Sequence, residues 1–274
     1  MSKQTVSTGT ADLLAHIEDG VGVLTMNRPD RRNAFSQPMM EAMAQLLAAW
    51  EVAPDIGCVI LTGAGGAFCA GGDVKGMAAR NASGVEMDID SRIHAQRLRQ
   101  RATAGKLYRM PKPTIAAIPG AVAGAGLSLA LACDMRIAAE TAVMTTAFAK
   151  VGFSGDFGGT FFLSRLVGSA KARELYFLSD RIDMAEALRL GLVNWVSPAA
   201  ELEARAMDIA RRLAAGPRIA YRYMKENLNR AVAGEVEDCL DLEATHHVHT
   251  GQTEDHKEAA RAFVEKRAPQ FHGR

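Results

Sequence analysis

The chain has 274 residues, and its 32 lysines and arginines nearly balance 31 aspartates and glutamates, which leaves a formal charge of +1. No overall field therefore draws it to nucleic acid or to an anionic membrane. The four cysteines are scattered without a CxxC pair, which excludes a disulfide scaffold and favours a reducing cytoplasm. A chain of this length buries roughly 75% of the surface that it exposes when unfolded.

The predicted elements follow from the pattern of apolar residues. Residues 1–10 are polar, so neither a secretory signal nor a membrane anchor is expected there. A helix is predicted after Ser36 and Pro38, since apolar residues then recur at helical spacing as far as Trp50. Short apolar runs bounded by Gly, Pro or Asp predict strands over residues 21–26, 58–62, 114–118, 135–139 and 193–196.

The uncharged stretch over residues 114–133 is long enough for a membrane helix, but Pro119 and several glycines interrupt it. A buried strand, a turn and a buried helix are expected instead. Residues 201–266 have an almost wholly helical pattern. The sequence therefore predicts an α/β core over residues 1–200 and a helical section over 201–274, and the absence of a linker indicates one functional domain.

Two glycine-rich turns follow predicted strands. The first, residues 62–75 (TGAGGAFCAGGDVK), fails the dinucleotide fingerprint because Phe68 stands where the third glycine belongs. The second, residues 119–126, opens directly onto the buried helix. If Gly72 and Ala125 each present a backbone N–H, the pair would form an oxyanion hole for a thioester enolate. The alternative is that both clusters are only tight turns.

Four motifs in order resemble the crotonase (enoyl-CoA hydratase/isomerase) superfamily. They are residues 27–34 (NRPDRRNA), 68–77 (FCAGGDVKGM), 112–120 (KPTIAAIPG, followed by the Gly124 turn and Cys133-Asp134) and 254–271 (from TED onward, with KEA and AFVEKR). The resemblance implies a ClpP/crotonase-like spiral of ββα units. It also implies a helical C-terminal trimerisation section, and a homotrimer or a dimer of trimers.

The resemblance further implies coenzyme A as part of an acyl-CoA thioester substrate, with no tightly bound cofactor. By this carry-over Gly72 and Ala125 are the oxyanion donors. Phe263 and Lys266 would reach the nucleotide end of a neighbouring subunit's ligand, and Arg32 or Arg31 would replace a lysine that hydratases often have at Asp30. The expected coenzyme A contacts are Arg32, Ala70, Asp73, Val74, Lys75, Phe263 and Lys266.

The acid and base of the family's hydratases are two glutamates, and the resemblance places Ser128 and Phe148 at those positions. Hydration is therefore disfavoured, and the two residues become candidates for the substrate pocket. Asp156 stands where isomerases of this superfamily, and its aromatic acyl-CoA dehalogenases, have a functional aspartate. One carboxylate suffices to move a proton in an enoyl-CoA isomerase. The alternative for Asp156 is a cap on the helix that carries residues 161–167.

Other functions stay open at this stage. They are an enoyl-CoA hydratase-like lyase, a thioester or C–C bond hydrolase, and a dehalogenase, which is disfavoured because Arg101 stands where its histidine is expected. An RNA-binding relative is the non-enzyme alternative, since basic residues crowd the segment 92–109, but nucleic acid is not the expected partner. His246, His247 and His249 do not share a helix face, so no metal site is expected.

Overall fold

A computed structural model describes residues 3–73, 76 and 88–274. Its strands are β1 Gln4–Val6, β2 Leu13–Glu18, β3 Val21–Met26, β4 Cys58–Gly63, β5 Ala67–Cys69, β6 Thr114–Ile118, β7 Ala121–Ala123, β8 Met135–Ala139, β9 Met144–Thr145 and β10 Trp195–Ser197. Its helices are α1 Gln37–Val52, α2 Ile89–Ala102, α3 Ala104–Arg109, α4 Ala125–Leu131, α5 Gly159–Leu178, α6 Met184–Arg189, α7 Leu202–Ala214, α8 Arg218–Ala231, α9 Val236–Thr250 and α10 Glu254–Glu265.

The strands form two sheets. The larger has the order β1-β2-β3-β4-β6-β8-β10, in which β1, β2 and β3 pair antiparallel and the remaining neighbours pair parallel. The smaller has the order β5-β7-β9 and is parallel throughout. Each of three successive strand pairs, β4-β5, β6-β7 and β8-β9, gives its first strand to the large sheet and its second to the small one.

Helices follow these strand pairs, so the middle of the chain is a succession of ββα units. The pair β6-β7 leads into α4, and β8-β9 leads into α5. Because parallel strands need a crossover connection, each unit returns the chain to the end of the sheets at which the parallel strands begin. The segments that follow β5, β7 and β9 are thereby brought to one end of the small sheet, where these strands finish.

One helix begins where the sequence predicts, and a second begins two residues earlier. The hydroxyl of Ser36 accepts a hydrogen bond from the N–H of Met39 at 3.3 Å and so caps α1, and Pro38 lies in the first turn, where its missing N–H costs no helical bond. Helix α4 is buried along its whole length, which explains its lack of charge. It begins at Ala125, two residues before the predicted start.

The predicted strands and the predicted helical section are mostly confirmed. Three strands have the predicted bounds, and β4 extends one residue past its prediction. The last strand begins at Trp195 rather than Val193, because Leu192 and Val193 pack into the core before the strand pairs with β8. Helices α7 to α10 form the predicted helical section. Cys58, Cys69 and Cys133 are buried free thiols. Among the described residues, no helix is long and apolar enough to cross a membrane.

Candidate active site

Gly72 lies in the loop after β5, and the side chain of buried Asn33 holds the turn that leads into β5. The Asn33 amide donates to the carbonyls of Ala64 and Ala67, both at 2.8 Å, and its oxygen accepts from the N–H of Arg28 at 2.8 Å. One side chain therefore ties residues 28–34 to the turn between β4 and β5. The sequence motif around Asn33 suggested a loop but gave no role to this residue.

The orientation of Gly72 follows from its neighbour strand. Phe35 forms a parallel bridge with Gly72, and its N–H donates to the carbonyl of Gly71 at 2.7 Å. In a parallel bridge the bonds run to the groups on either side of the bridged residue, so the N–H of Gly72 takes no part in it. Among the described residues, no hydrogen bond from that N–H is found.

The second candidate donor lies at the start of α4. Gly124 adopts φ 54° and ψ −127°, a conformation that only glycine reaches at low cost, and it turns the chain from β7 into the helix. Ala125 is the first helical residue, and the N–H groups of a first turn have no partner inside the helix. Its N–H therefore points out of the helix end, as an oxyanion donor requires.

The two turns are in direct contact. A Cβ on Gly71 would lie 2.8 Å from the carbonyl oxygen of Ala123 and 3.0 Å from the nitrogen of Ala125. A Cβ on Gly126 would lie 2.5 Å from the carbonyl oxygen of Cys69. Because no side chain separates these backbones, the segments that carry Gly72 and Ala125 lie side by side.

Asp156 lies in the turn before α5 and is partly buried. Gln96 donates its amide to both carboxylate oxygens at 3.0 and 2.8 Å, and Gln100 donates to one of them at 2.6 Å. The N–H of Phe157 donates to the same carboxylate at 2.9 Å. Gln96 and Gln100 are one helical turn apart on α2, so one face of that helix holds the carboxylate.

The pKa of Asp156 is raised from its ordinary value. Burial is the main cause, and the hydrogen bonds from Gln96 and Phe157 and the charge of Arg99 oppose it. Within the described part of the chain, all four hydrogen bonds to the carboxylate come from neutral N–H groups. A carboxylate that is held by neutral donors and has a raised pKa is suited to accept and return a proton.

Asp156 does not cap α5 with its side chain. The N-cap of α5 is Gly158, which has no side chain to offer, and the Asp156 carbonyl rather than its carboxylate accepts from the N–H of Gly159 at 3.1 Å. The carboxylate faces α2 instead. The helix-cap alternative for this side chain is therefore wrong.

The turn that carries Asp156 packs against the segment that is paired with Gly72. The ring of Phe157 lies 5.2 Å from that of Phe35, the residue bridged to Gly72. On the other side, a Cβ on Gly155 would lie 3.3 Å from the ring of Tyr176. Asp156 thus lies between the Gly72 loop and the wall of the pocket beside α4.

Ser128 and Phe148 line that pocket, as does Tyr176, which the sequence did not single out. Phe148 and Tyr176 stack with 5.8 Å between ring centroids and 9° between ring planes. The hydroxyl of Ser128 donates to the carbonyl of Gly124 at 3.3 Å, and it lies near the hydroxyl of Tyr176 in the space that Gly159 leaves open. Burial raises the pKa of Tyr176 to about 12, helped by the charge of Asp156 and opposed by Ser128, so this residue is a neutral phenol at physiological pH.

Only some of the residues that are expected to contact coenzyme A can be related to one another in the single chain. The N–H of Ala70 donates to the carbonyl of Arg32 at 2.9 Å, so these two residues are neighbours. The carboxylate of Asp73 is 3.3 Å from the guanidinium of Arg28 and accepts from the N–H of Gly76 at 3.0 Å. These contacts lower its pKa, with the bond from Gly76 the largest cause. Asp73 therefore braces its loop.

The other expected contacts are not tested by the described structure. Val74 and Lys75 lie outside the described residues. Phe263 is exposed over 85% of its surface near the end of α10, and Lys266 follows that helix in a left-handed conformation. Their predicted contact with a neighbouring subunit's ligand stays a prediction.

Two of the three histidines near the end of α9, His246 and His249, have structural partners. His246 is buried, its Nδ1 lies 2.5 Å from the side-chain oxygen of Asn227, and its ring lies 4.2 Å from that of Tyr223. His249 packs edge-on against the same tyrosine at 5.3 Å. In the part of the chain that is described, no group of three or more His, Cys, Asp or Glu side chains is arranged to hold a metal ion.

The sequence profile of the enoyl-CoA hydratase/isomerase family matches residues 16–274. The 1,2-epoxyphenylacetyl-CoA isomerase of Escherichia coli (strain K12) is 36% identical over 262 residues, which cover 96% of this chain and 98% of that protein. The short-chain-enoyl-CoA hydratase of Clostridium acetobutylicum is 35% identical and covers 91% of this chain and 93% of its own length.

Solved structures agree with these sequence relatives. The crystal structure of an enoyl-CoA hydratase from Polaromonas sp. JS666 superposes with a TM-score of 0.88 at 34% identity, over 94% of this chain and 99% of that one. The fold is thus the crotonase fold, and the chain belongs to the enoyl-CoA hydratase/isomerase family. Its relatives include both isomerases and hydratases, so membership alone leaves the reaction open.

Proposed function

We propose that this protein is an enoyl-CoA isomerase that stabilises a thioester enolate. The N–H groups of Gly72 and Ala125 bind the carbonyl oxygen, and Asp156 removes a proton and returns it to another carbon. The environment of Asp156 supports this proposal most strongly. A partly buried carboxylate with neutral donors and a raised pKa is suited to remove a proton from a substrate and to return it.

In this reaction the carboxylate of Asp156 alone both removes and returns the proton. The carboxylate takes a proton from the carbon next to the carbonyl of a 3-enoyl thioester, and the electron pair moves onto the carbonyl oxygen as a dienolate. The two N–H donors stabilise that oxygen, a contribution of about 2.7 to 4 kcal/mol for each donor. The protonated Asp156 then delivers the proton to the far carbon of the dienolate.

Hydration is the second candidate, because a relative that covers most of the chain is a short-chain-enoyl-CoA hydratase. The residues argue against it here. Phe148 has no ionisable group and is buried under Tyr176, while Ser128 is committed to the Gly124 carbonyl. Neither residue can serve as the second acid or base that adding water across a double bond requires.

The reaction is tested by incubating the protein with a 3-enoyl-CoA and following the product by mass spectrometry and NMR. Isomerisation moves the double bond to the 2-position at unchanged mass. Hydration adds the mass of one water to a 2-enoyl-CoA, and hydrolysis of the thioester releases free coenzyme A. A hydrated or hydrolysed product as the main outcome would overturn the assignment.

The proposal includes the setting of the reaction. Coenzyme A would lie along the loop that begins at Ala70, with Arg32 beside it and with Phe263 and Lys266 contributed by a neighbouring subunit. The protein would work as a homotrimer or a dimer of trimers in the cytoplasm. Large exposed apolar side chains on α8 and α9 support the assembly, since a monomer rarely leaves such a face in contact with water.

A further inference from the structure

An apolar pocket lies directly behind the second oxyanion donor. Gly124 lines it, and the carbonyl of Gly124 belongs to the same peptide group as the N–H of Ala125. The space between the lining side chains is too small to admit a water molecule. The pocket is lined by Gly124, Leu127, Ser128, Leu131, Thr146, Phe148, Gly159, Leu163 and Tyr176.

Tyr176 fills this pocket from the side opposite α4. Its ring stacks on Phe148, and its hydroxyl lies near that of Ser128. A Cβ on Gly159 would lie 2.2 Å from the Ser128 hydroxyl and 2.6 Å from the Tyr176 hydroxyl, so the missing side chain at Gly159 makes room for this pair. The ring is thus held by stacking on one face, and the missing side chain at Gly159 leaves room for its hydroxyl.

The ring occupies space that an acyl chain would otherwise use. Five of the nine lining residues are Gly124, Leu127, Leu131, Phe148 and Leu163, which present apolar atoms suited to hydrocarbon. An acyl group whose carbonyl is held at Ala125 would extend into this space if the ring were absent. Because the tyrosine ring stacks on Phe148, displacing it would cost an aromatic contact.

We propose that Tyr176 closes the acyl pocket behind Ala125 and so restricts this enzyme to short acyl groups. The inference rests on the proposed function only in requiring that the site bind acyl-CoA thioesters; it does not depend on which reaction follows. Tyr176 acts through its volume, so it is a specificity-determining residue rather than a proton donor.

The test measures binding of saturated thioesters, which undergo no double-bond migration. Calorimetry gives the dissociation constants of butyryl-CoA and octanoyl-CoA for the wild type, Tyr176→Phe, Tyr176→Leu and Tyr176→Ala. Phe177→Ala is the matched control, because Phe177 is the next residue on α5 and is 73% exposed. The leucine variant tests the proposal if the larger cavity left by alanine prevents folding.

The wild type, Tyr176→Phe and Phe177→Ala should all bind butyryl-CoA more tightly than octanoyl-CoA. The leucine and alanine variants should shift that preference toward octanoyl-CoA by about tenfold or more, the effect of filling a pocket with additional methylenes. An unchanged preference in both variants, or an equal shift in Tyr176→Phe, would overturn the role of the ring. A wild type that binds neither thioester would refute the acyl-CoA function itself, whereas equal affinity for both would refute only the closure.

Discussion

Within the described residues, only neutral N–H groups hydrogen-bond to the Asp156 carboxylate, which suits the proton transfer that we propose for it. A lysine or arginine in contact would lower its pKa and make it a poor base, whereas the amides of Gln96 and Gln100 orient it with a smaller effect on its basicity. Arg99 instead donates to the Gln96 side-chain oxygen at 2.8 Å, which fixes the direction of that amide. Burial thus raises the pKa of the carboxylate, while the Gln96 amide helps to orient it and partly opposes that rise.

Replacing Gln96 by methionine should move the acid limb of the pH dependence of kcat/KM to higher pH. The hydrogen bond from Gln96 favours the charged carboxylate, so its loss raises the pKa of Asp156 further. The rate at pH values well above this limb should fall far less, since Gln100 and Phe157 still hold the carboxylate.

The pH dependence is measured with a 3-enoyl-CoA from the acid limb to the plateau. Leu98→Ala is the control, because Leu98 lies two residues further along the same helix, is half exposed and carries no donor. An acid limb that stays in place in Gln96→Met would mean that a group other than Asp156 titrates there.

The sequence pointed to Asp156, Gly72 and Ala125 but not to the residues that hold them. Gln96 lies 60 positions from Asp156, and Tyr176 is one of several aromatic residues on a helix. Neither carries a local pattern that separates a site residue from a surface or core residue. Their contacts join residues that are far apart along the chain, so they exist only in the folded structure.

At the scale of elements, the start of α4 is the feature on which the proposed oxyanion hole depends. Local rules predicted it well, because a glycine turn before an uncharged apolar segment indicates a buried helix with an open first turn. The short strands β5, β7 and β9 were not predicted, since two or three residues carry too little periodicity to be recognised. Those strands nevertheless align the two glycine turns.

Replacing Ala125 by proline should lower kcat by about 10²- to 10³-fold, the usual effect of removing one oxyanion donor. Proline is favoured in the first position of a helix, so the change removes the N–H while α4 can still form. Steady-state kinetics with a 3-enoyl-CoA measures the effect.

Ala125→Ser is the matched control for this prediction, because it keeps the N–H and adds one oxygen atom at a buried site. Circular dichroism of both variants checks that the fold is retained. Equal rates in the proline and serine variants would show that the Ala125 N–H does not bind the oxyanion.

At the scale of the whole molecule, the C-terminal helices present an apolar face that the single chain leaves uncovered. Met224 and Leu228 on α8 are 54% and 69% exposed, and Val236 and Leu240 on α9 are 63% and 59% exposed. Each pair is spaced by four residues and so lies on one side of its helix. A symmetric assembly of identical chains would bury these faces against one another.

The wild type should therefore behave as a trimer, or as a multiple of three, in size-exclusion chromatography with light scattering. Leu228→Glu or Leu240→Glu should shift the mass toward the monomer, since each places a charge in an apolar contact. Val52→Glu introduces the same charge at a 78% exposed site on α1 and should leave the mass unchanged. A monomeric wild type would contradict the proposed assembly.

The central claim is that Asp156 is the base of an enolate reaction, and proton exchange tests it most directly. NMR in D2O follows exchange of the protons next to the carbonyl of a saturated acyl-CoA, and double-bond migration in a 3-enoyl-CoA, for the wild type and Asp156→Asn. The account predicts both activities in the wild type and a loss of about 10²- to 10⁴-fold in the variant, the usual contribution of a general base. Unchanged exchange in Asp156→Asn would contradict it.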